Sequence, residues 1–292
     1  PARVRPARRA VPAGPAEIPA RRTEPVPVFV PPFLGSRVVT GVPLGEVVPY
    51  LDHTALFRKD WRFRPGPGEE PAAFRSRLEP ILQARLTEVG PRVRPAVAFG
   101  FFAAGREGND LVIFEGPKRS AVLARFRFPR QPQAPFHCLA DYWRSAEEGE
   151  DYAAFQVATI GEEFAGYTAG LLAAGHYSDY FLDHGLGAAL AEALAEAWHA
   201  RVRKEWGFGH EDAPTPEGVL QLHHRGLRYS WGYPACPDLE DNAVVAALVG
   251  AERIGVHCGP DTGFQYHPEL TTSALVTHHP DAVYFAVHGG GN

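Results

Sequence analysis

The sequence contains no methionine and only three cysteines among its 292 residues. Because even the first position lacks methionine, we expect a fragment or a processed product of a longer protein. Cys138, Cys236 and Cys258 form no CxxC pair, and their odd number disfavours a disulfide framework, so reduced, buried thiols are expected.

No uncharged apolar run reaches the ~18 residues of a membrane-spanning helix, and the first residues lack a signal peptide's apolar core. A cytoplasmic protein is predicted.

The sequence also lacks a strong charge of either sign. Its net charge of −5 disfavours nucleic-acid binding through a broad basic face.

The thirteen histidines suggest a metal site, but adjacent residues of a strand point to opposite faces, so the pairs at 223–224 and 278–279 are poor ligand sets. No HExxH spacing occurs, and we predict no metal. A metal-dependent hydrolase stays the weakest alternative.

The composition divides the chain into two parts. Residues 1–24 are rich in proline, alanine and arginine with little to bury, which predicts an extended interdomain linker. Residues 25–292 have the composition of one globular domain. Its predicted strands surround helices without a regular βαβ alternation, which indicates an α+β fold.

Apolar spacing predicts the individual elements. The predicted helices are 72–88, kinked at Pro80, then 183–205 with Asp183 as N-cap, and 240–250. The predicted strands are a hairpin of 97–102 and 111–114, then 252–257, 270–277 and 282–287. The proline-rich start of the domain, to about residue 33, is predicted to be an extended edge segment.

The most informative segment is RYSWGYPACP, residues 228–237. Gly232 allows the backbone to approach a ligand closely, and Pro234 and Pro237 fix φ on either side of Cys236. We expect a stiff loop beside the permanently charged Arg228, whose forked guanidinium suits a carboxylate. Taken alone, such a motif is more often a surface turn with a solvated arginine.

The RxxxGYPACP element resembles the C-terminal activation domain of cobalamin-dependent methionine synthase. That resemblance extends over about residues 25–287 and implies a single α+β domain with a mostly antiparallel, twisted sheet flanked by helices. It also implies that the linker joins a cobalamin-carrying domain. Further segments resemble the family in the same order: PPFLGSRVV (31–39), VPYLDHTALF (48–57), AFGFFAA to DLVIF (98–114), FHCLADYW (136–143), HARVRKEWGF (199–208) and THHPDAVYFAV (277–287).

The function that the resemblance implies is reactivation. Such a module binds S-adenosylmethionine (SAM) and presents its methyl group to cobalamin, held by another domain of the same polypeptide, for reductive methylation of cob(II)alamin. A flavodoxin-type donor supplies the electron. The complete enzyme would be a methyltransferase, whereas the isolated domain would have no complete turnover activity. The alternative is a docking domain that mainly caps cobalamin and recruits the electron donor.

The resemblance also implies the residues that hold SAM. Arg228 would clamp the carboxylate, and Asp52, which aligns with the aspartate of the family's D-W-T motif, would suit the ammonium. Ser230, Gly232 and Tyr233 would supply backbone contacts and one wall of the groove. Val276 and Thr277 would supply a second backbone segment against the nucleoside. Taken alone, Asp52 is more often a helix cap.

Two residues would face cobalamin, namely Glu192 and Tyr233, although Glu192 alone is typical of an exposed helical carboxylate. Asp141 is interpreted as structural. No catalytic residue is predicted, because the reduced cobalt centre needs no general base. The sequence departs from the family pattern at His53, in place of tryptophan, at Leu222, in place of a glutamate, and in stopping soon after YFAV.

Overall fold

The structure is a computed structural model that describes residues 26–145 and 147–287. The predicted linker, residues 1–24, lies outside the described residues. Within the described part, no helix has both the length and the apolar character that crossing a membrane requires.

Side-chain alternation along one long strand explains how the core is built. In residues 96–107, Val97, Phe99 and Phe101 face one hydrophobic cluster. Ala98 and Phe102 point the opposite way and join a second cluster. Because successive side chains of a strand face opposite sides, the continuous apolar run fits a strand that is covered on both faces.

Seven strands form one sheet in which every strand pair is antiparallel. Its order is β4-β3-β2-β5-β7-β6, and β1 pairs with the first half of β2 along the edge that β3 shares. This confirms the predicted antiparallel sheet. The strands are β1 (Gly35–Thr40), β2 (Ala96–Glu107), β3 (Asp110–Phe114), β4 (Val122–Arg127), β5 (Asp151–Thr159), β6 (Arg228–Tyr229) and β7 (Thr271–Val276).

Helices flank both faces of this sheet, as predicted. The α-helices are α1 (Leu44–Val47), α2 (His53–Ala55), α3 (Pro71–Val89), α4 (Glu162–Ala173), α5 (Tyr177–Trp206), α6 (Pro216–Leu220) and α7 (Asp241–Val249). The buried residues of α3, α4 and α5 join the first cluster, and those of α7 join the second. Pro80 lies inside α3 without ending it.

Single helical turns connect several of these elements. They are Val48–Tyr50, Leu56–Asp60, Gly90–Arg92, Leu139–Tyr142, Gly209–Glu211, Ala251–Ile254 and Pro260–Thr262.

The sequence-based element predictions succeed in part. The hairpin, the strand at 270–277 and the helices at 72–88 and 240–250 are confirmed. Residues 252–257 are not a strand, because Ala251–Ile254 form a helical turn. Residues 282–287 pair with no strand and are held by side chains instead: Tyr229 Oη donates to Val283 O (2.9 Å) and Gln131 Nε2 to Ala286 O (2.8 Å). The described part of the predicted extended edge segment, 26–33, contains neither helix nor strand.

The predicted start of α5 is also wrong. The helix begins at Tyr177, so Asp183 lies inside it, fully buried. Its carboxylate accepts hydrogen bonds from Tyr167 Oη (3.0 Å) and Arg85 Nη1 (3.4 Å). Asp183 therefore joins α5 to α4 and α3 rather than capping a helix.

Candidate ligand-binding site

A cleft of about 490 Å³ opens where α5, β6, β7 and α7 meet. Its walls are Glu192 of α5, residues 228–231 and 233–236, Asn242 of α7, residues 271–273 of β7 and the segment 284–285, with Tyr266. This volume lies in the range of small-molecule sites. The RYSWGYPACP segment that the sequence singles out therefore forms most of one wall.

The loop after β6 closes on itself, which makes it a rigid wall. Gly232 has a φ of 90°, and its N–H donates to Cys236 O (3.0 Å) while Cys236 N–H donates to Tyr233 O (2.9 Å). Trp231 anchors the loop below, since it is buried and packs against Phe126 at 5.5 Å between ring centroids. The positive φ explains why glycine occupies position 232.

Arg228 lies at the base of the cleft and is held by two glutamates of α5. Its Nε donates to Glu196 Oε1 (2.8 Å) and its Nη2 to Glu192 Oε2 (2.7 Å). The side chain is 11% exposed. Burial alone would lower the pKa of Arg228, but the charges of Glu196 and Glu192 raise it above its usual value. Arg228 therefore stays charged, and Nη1 has no hydrogen-bond partner among the described residues.

The two glutamates differ in exposure, which gives them different freedom to move. Glu192 is 56% exposed and Glu196 only 18%. Burial raises the pKa of Glu196, but the positive charge of Arg228 outweighs this and lowers it well below the usual range. Glu196 is thus a fixed partner of Arg228, whereas Glu192 can be displaced into solvent at low cost.

Asp52 is a helix cap in this structure. Its Oδ1 accepts from the backbone N–H groups of Thr54 and Ala55, each at 2.9 Å. It is exposed and does not line the cleft. The contact of Asp52 with the ammonium of a ligand therefore stays a prediction.

The other predicted contacts divide into two groups. Ser230 and Tyr233 line the cleft, and Gly232 forms the turn between them. Val276 and Thr277 are fully buried and do not line it. Val276 pairs with Arg228 across the sheet, and Thr277 N–H donates to Leu227 O. Their place in the sheet therefore puts them behind Arg228, and the other end of β7, residues 271–273, faces the cleft.

Sequence reasoning missed three parts of the site. Glu196 lies one helical turn from Glu192, so the i, i+4 spacing was an available signal. Tyr284 and Phe285 line the cleft, and Tyr284 Oη donates to Arg228 O (3.2 Å). Residues 271–273 of β7 complete the set. Neither the segment 284–285 nor residues 271–273 carry a local motif, because tertiary packing alone brings them to the cleft.

The remaining residues of interest have structural contacts. Asp141 is buried and accepts two hydrogen bonds from Arg130, at 2.5 and 2.6 Å, in agreement with the structural role predicted for it. His53 lies 3.4 Å from Glu79 Oε2 and packs edge-on against Phe57. Leu222 is 47% exposed.

The cysteines are all free thiols, and Cys138 and Cys236 are buried. Burial raises the pKa of the Cys236 thiol to about 12, so it is a poor nucleophile near neutral pH. In residues 26–145 and 147–287, no group of three or more histidine, cysteine, aspartate or glutamate side chains is arranged to hold a metal ion.

Fold and cleft together define an α+β module with one antiparallel sheet and a cleft of small-molecule size. The structure resembles one described as "Crystal Structure of the MetH Reactivation Domain bound to AdoHcy", with a TM-score of 0.80 and 26% sequence identity over 89% of this chain and 83% of that one. Residues 43–289 match the family model described as vitamin B12 dependent methionine synthase, activation domain. The chain belongs to this family.

Curated relatives agree with this assignment. The chain is 42% identical over 294 aligned residues to the methionine synthase of Mycobacterium tuberculosis (strain ATCC 25618 / H37Rv) and 40% identical over 295 to that of Mycobacterium leprae (strain TN). Each match covers 94% of this chain and 24% of the relative. The chain therefore spans about a quarter of the length of these relatives.

Proposed function

We propose that this chain is the reactivation module of a cobalamin-dependent methionine synthase. It binds SAM in the 490 Å³ cleft and presents the methyl group to cobalamin held by another domain of the same polypeptide. The observation that carries the proposal is the charged Arg228, with a side chain only 11% exposed, at the base of a cleft with aromatic walls. The structural relative bound to AdoHcy supports a SAM-type ligand.

The amino-acid end of SAM fits the charged end of the cleft. Its carboxylate takes the Nη1 edge of Arg228 and replaces Glu192 on Nη2, because Glu192 is the more exposed partner. The freed Glu192 carboxylate then faces the ammonium and sulfonium charges, and Asp52 stays a predicted partner of the ammonium. Glu196 keeps Arg228 Nε in place throughout.

The nucleoside end fits the part of the cleft lined by the loop after β6 and by the segment 284–285. Tyr233, Tyr284 and Phe285 provide aromatic surface for the adenine. Ser230 and the backbone around Gly232 provide hydrogen-bonding groups for the ribose. In place of Val276 and Thr277, we assign the second contact segment to residues 271–273 of the same strand, whose two threonines and serine line the cleft.

The mouth of the cleft is where cobalamin would dock. Tyr233 is 65% exposed and Glu192 56%, and we propose that both face the corrin. When bound and reduced by one electron from an external donor, cobalamin would supply the nucleophile that accepts the methyl group, and SAM would leave as a neutral thioether that keeps the electron pair of the methyl–sulfur bond. No proton moves, so the chain needs to orient SAM and exclude water rather than supply an acid or base.

A flavodoxin-type electron donor stays a prediction, as does a cytoplasmic location. The alternative function is a docking domain that caps cobalamin and recruits the donor, with SAM incidental. The charged base and aromatic walls of the cleft favour the SAM-binding function, because capping needs an exposed surface but no interior site.

Equilibrium dialysis of the whole chain with radiolabelled SAM separates these functions. We expect saturable binding of one SAM per chain, with competition by unlabelled SAM and none by methionine methyl ester, whose carboxylate is blocked. Failure to bind SAM at millimolar concentration would refute the reactivation function and leave the docking function.

A further inference from the structure

A buried polar cluster lies behind Arg228, on the next turns of α5. His199 is 1% exposed and Arg203 0%. His224, in the segment before β6, packs edge-on against His199 with 5.2 Å between ring centroids. Asp212 anchors Arg203 by accepting from Nε (2.9 Å) and Nη2 (2.8 Å). The SAM site uses none of these four residues directly.

Several polar atoms of this cluster have no hydrogen-bond partner among the described residues. They are His199 Nδ1 and Nε2, His224 Nε2 and Arg203 Nη1. A buried polar atom without a partner is costly, so a cluster of such atoms points to a specific role.

Glu196 connects the cluster to Arg228. Its Oε1 accepts from Arg228 Nε at 2.8 Å, and its Oε2 lies 3.7 Å from His199 Nδ1, one helical turn away. That separation is longer than an N–H···O hydrogen bond of about 2.7–3.2 Å. Small changes in the terminal torsions of both Glu196 and His199 close it at little cost, because the terminal torsions of glutamate and histidine have broad energy minima.

The neighbours of His199 determine its charge and its tautomer. Burial and the adjacent positive charge of Arg203 lower its pKa well below the usual value, despite the opposing effect of Glu196. His199 is therefore neutral, with one donor and one acceptor nitrogen. The carboxylate of Glu196 only accepts, so Nδ1 must be the donor. Nε2 is then an acceptor.

We propose that His199 is a positioning residue for Arg228: its Nδ1–H donates to Glu196 Oε2 and fixes the carboxylate that holds Arg228 Nε. With Nε held, the Nη groups of Arg228 are aimed at the cleft before ligand arrives. Such preorganisation lowers the cost of binding. The inference rests on the proposed function, because it names a residue that sets SAM affinity without touching SAM.

Two substitutions separate positioning from simple packing. His199→Asn keeps a donor near the place of Nδ1, whereas His199→Gln puts its amide near the place of Nε2. By isothermal titration with SAM, we expect His199→Gln to weaken binding about tenfold, and His199→Asn to stay within about threefold of the unmodified chain. The exposed His223→Gln serves as the matched control. Equal affinities for the two variants, whether unchanged or equally reduced, would overturn the positioning role.

A second measurement does not depend on SAM binding. Imidazole ¹⁵N correlation spectra of the unmodified chain at neutral pH should show His199 as the neutral Nδ1–H tautomer. An Nε2–H tautomer or an imidazolium would overturn the inference even if SAM binds. Conversely, the expected tautomer in a chain that fails to bind SAM would refute the proposed function and leave the His199–Glu196 contact standing.

Discussion

Arg228 on strand β6 and Glu196 in the middle of helix α5 form a hydrogen bond of 2.8 Å between Nε and Oε1. This contact fixes the cation of the cleft to the helix behind it. With Glu192 as a second partner, the three charged groups leave an excess of one negative charge. A ligand that brings positive charge as well as a carboxylate suits this site, and SAM brings an ammonium and a sulfonium.

This charge balance predicts the effect of Glu192→Gln. Glu192 lines the cleft and is mostly exposed, so the change should leave the fold intact. SAM affinity should fall about fivefold, because a carboxylate facing the cationic end is lost. The affinity for S-adenosylhomocysteine, which lacks the sulfonium, should fall less. Titration calorimetry with both ligands measures the difference, and Glu205→Gln, an α5 glutamate outside this cleft, is the control. Equal losses for the two ligands would contradict the account.

The paired state of Glu196 predicts how stability depends on pH. A carboxyl whose native pKa is lowered stabilises the fold fully above its unfolded pKa, about 4.3 for glutamate. That contribution is lost as the pH falls through the native value. The native pKa of Glu196 is lowered, so its contribution should decline progressively below about pH 5.

Glu196→Gln removes this contribution. Between about pH 6 and pH 3, the free energy of unfolding of the Glu196→Gln chain should therefore fall less than that of the unmodified chain. Urea unfolding at a series of pH values measures this, and the exposed Glu217→Gln should follow the unmodified chain. Parallel curves for Glu196→Gln and the unmodified chain would show that Glu196 does not hold Arg228 as described.

The backbone just before β6 predicts a steric effect on the site. Gly226 has a φ of 71°, and a Cβ there would lie 2.0 Å from Thr277 O. Gly226→Ala should therefore destabilise the fold by about 1–3 kcal/mol and shift Arg228, two residues later, enough to weaken SAM binding. Gly116→Ala is the matched control, because it has no neighbour within 4 Å and no positive φ. Thermal unfolding and SAM titration of both variants check this. Equal stability and equal SAM affinity of the two variants would contradict this prediction.

The sequence predicts the centre of the site better than its surroundings. RYSWGYPACP identifies Arg228 and the rigid loop because local chemistry determines both. The two glutamates on Arg228 come from a helix more than thirty residues earlier, and only tertiary packing decides that they meet. The same holds for Tyr284 and Phe285, which line the cleft from a segment without strand pairing.

The errors in the fold prediction have a similar origin. Asp183 has the residue type of an N-cap, but Tyr167 and Arg85 hold it inside α5. Residues 282–287 have strand-like composition, yet side-chain hydrogen bonds replace a ladder there. Asp52 shows the reverse case. Its local role as a cap follows from sequence and is what the structure shows, whereas its role toward a ligand stays a prediction.

The most direct test of the account is SAM binding by Arg228→Lys. The family resemblance predicts that Arg228→Ala weakens SAM binding severely while leaving the fold intact. Removing a cation between two glutamates, one of them largely buried, would instead be strongly destabilising, so lysine is the better substitution. It keeps the charge but loses the fork that holds Glu196 and the ligand carboxylate together.

Isothermal titration should show SAM affinity reduced at least about tenfold in Arg228→Lys, with a circular dichroism spectrum like that of the unmodified chain. Arg77→Lys, an exposed arginine outside the cleft, should bind SAM normally. Unchanged SAM affinity in a folded Arg228→Lys chain would contradict the claim that Arg228 holds the ligand.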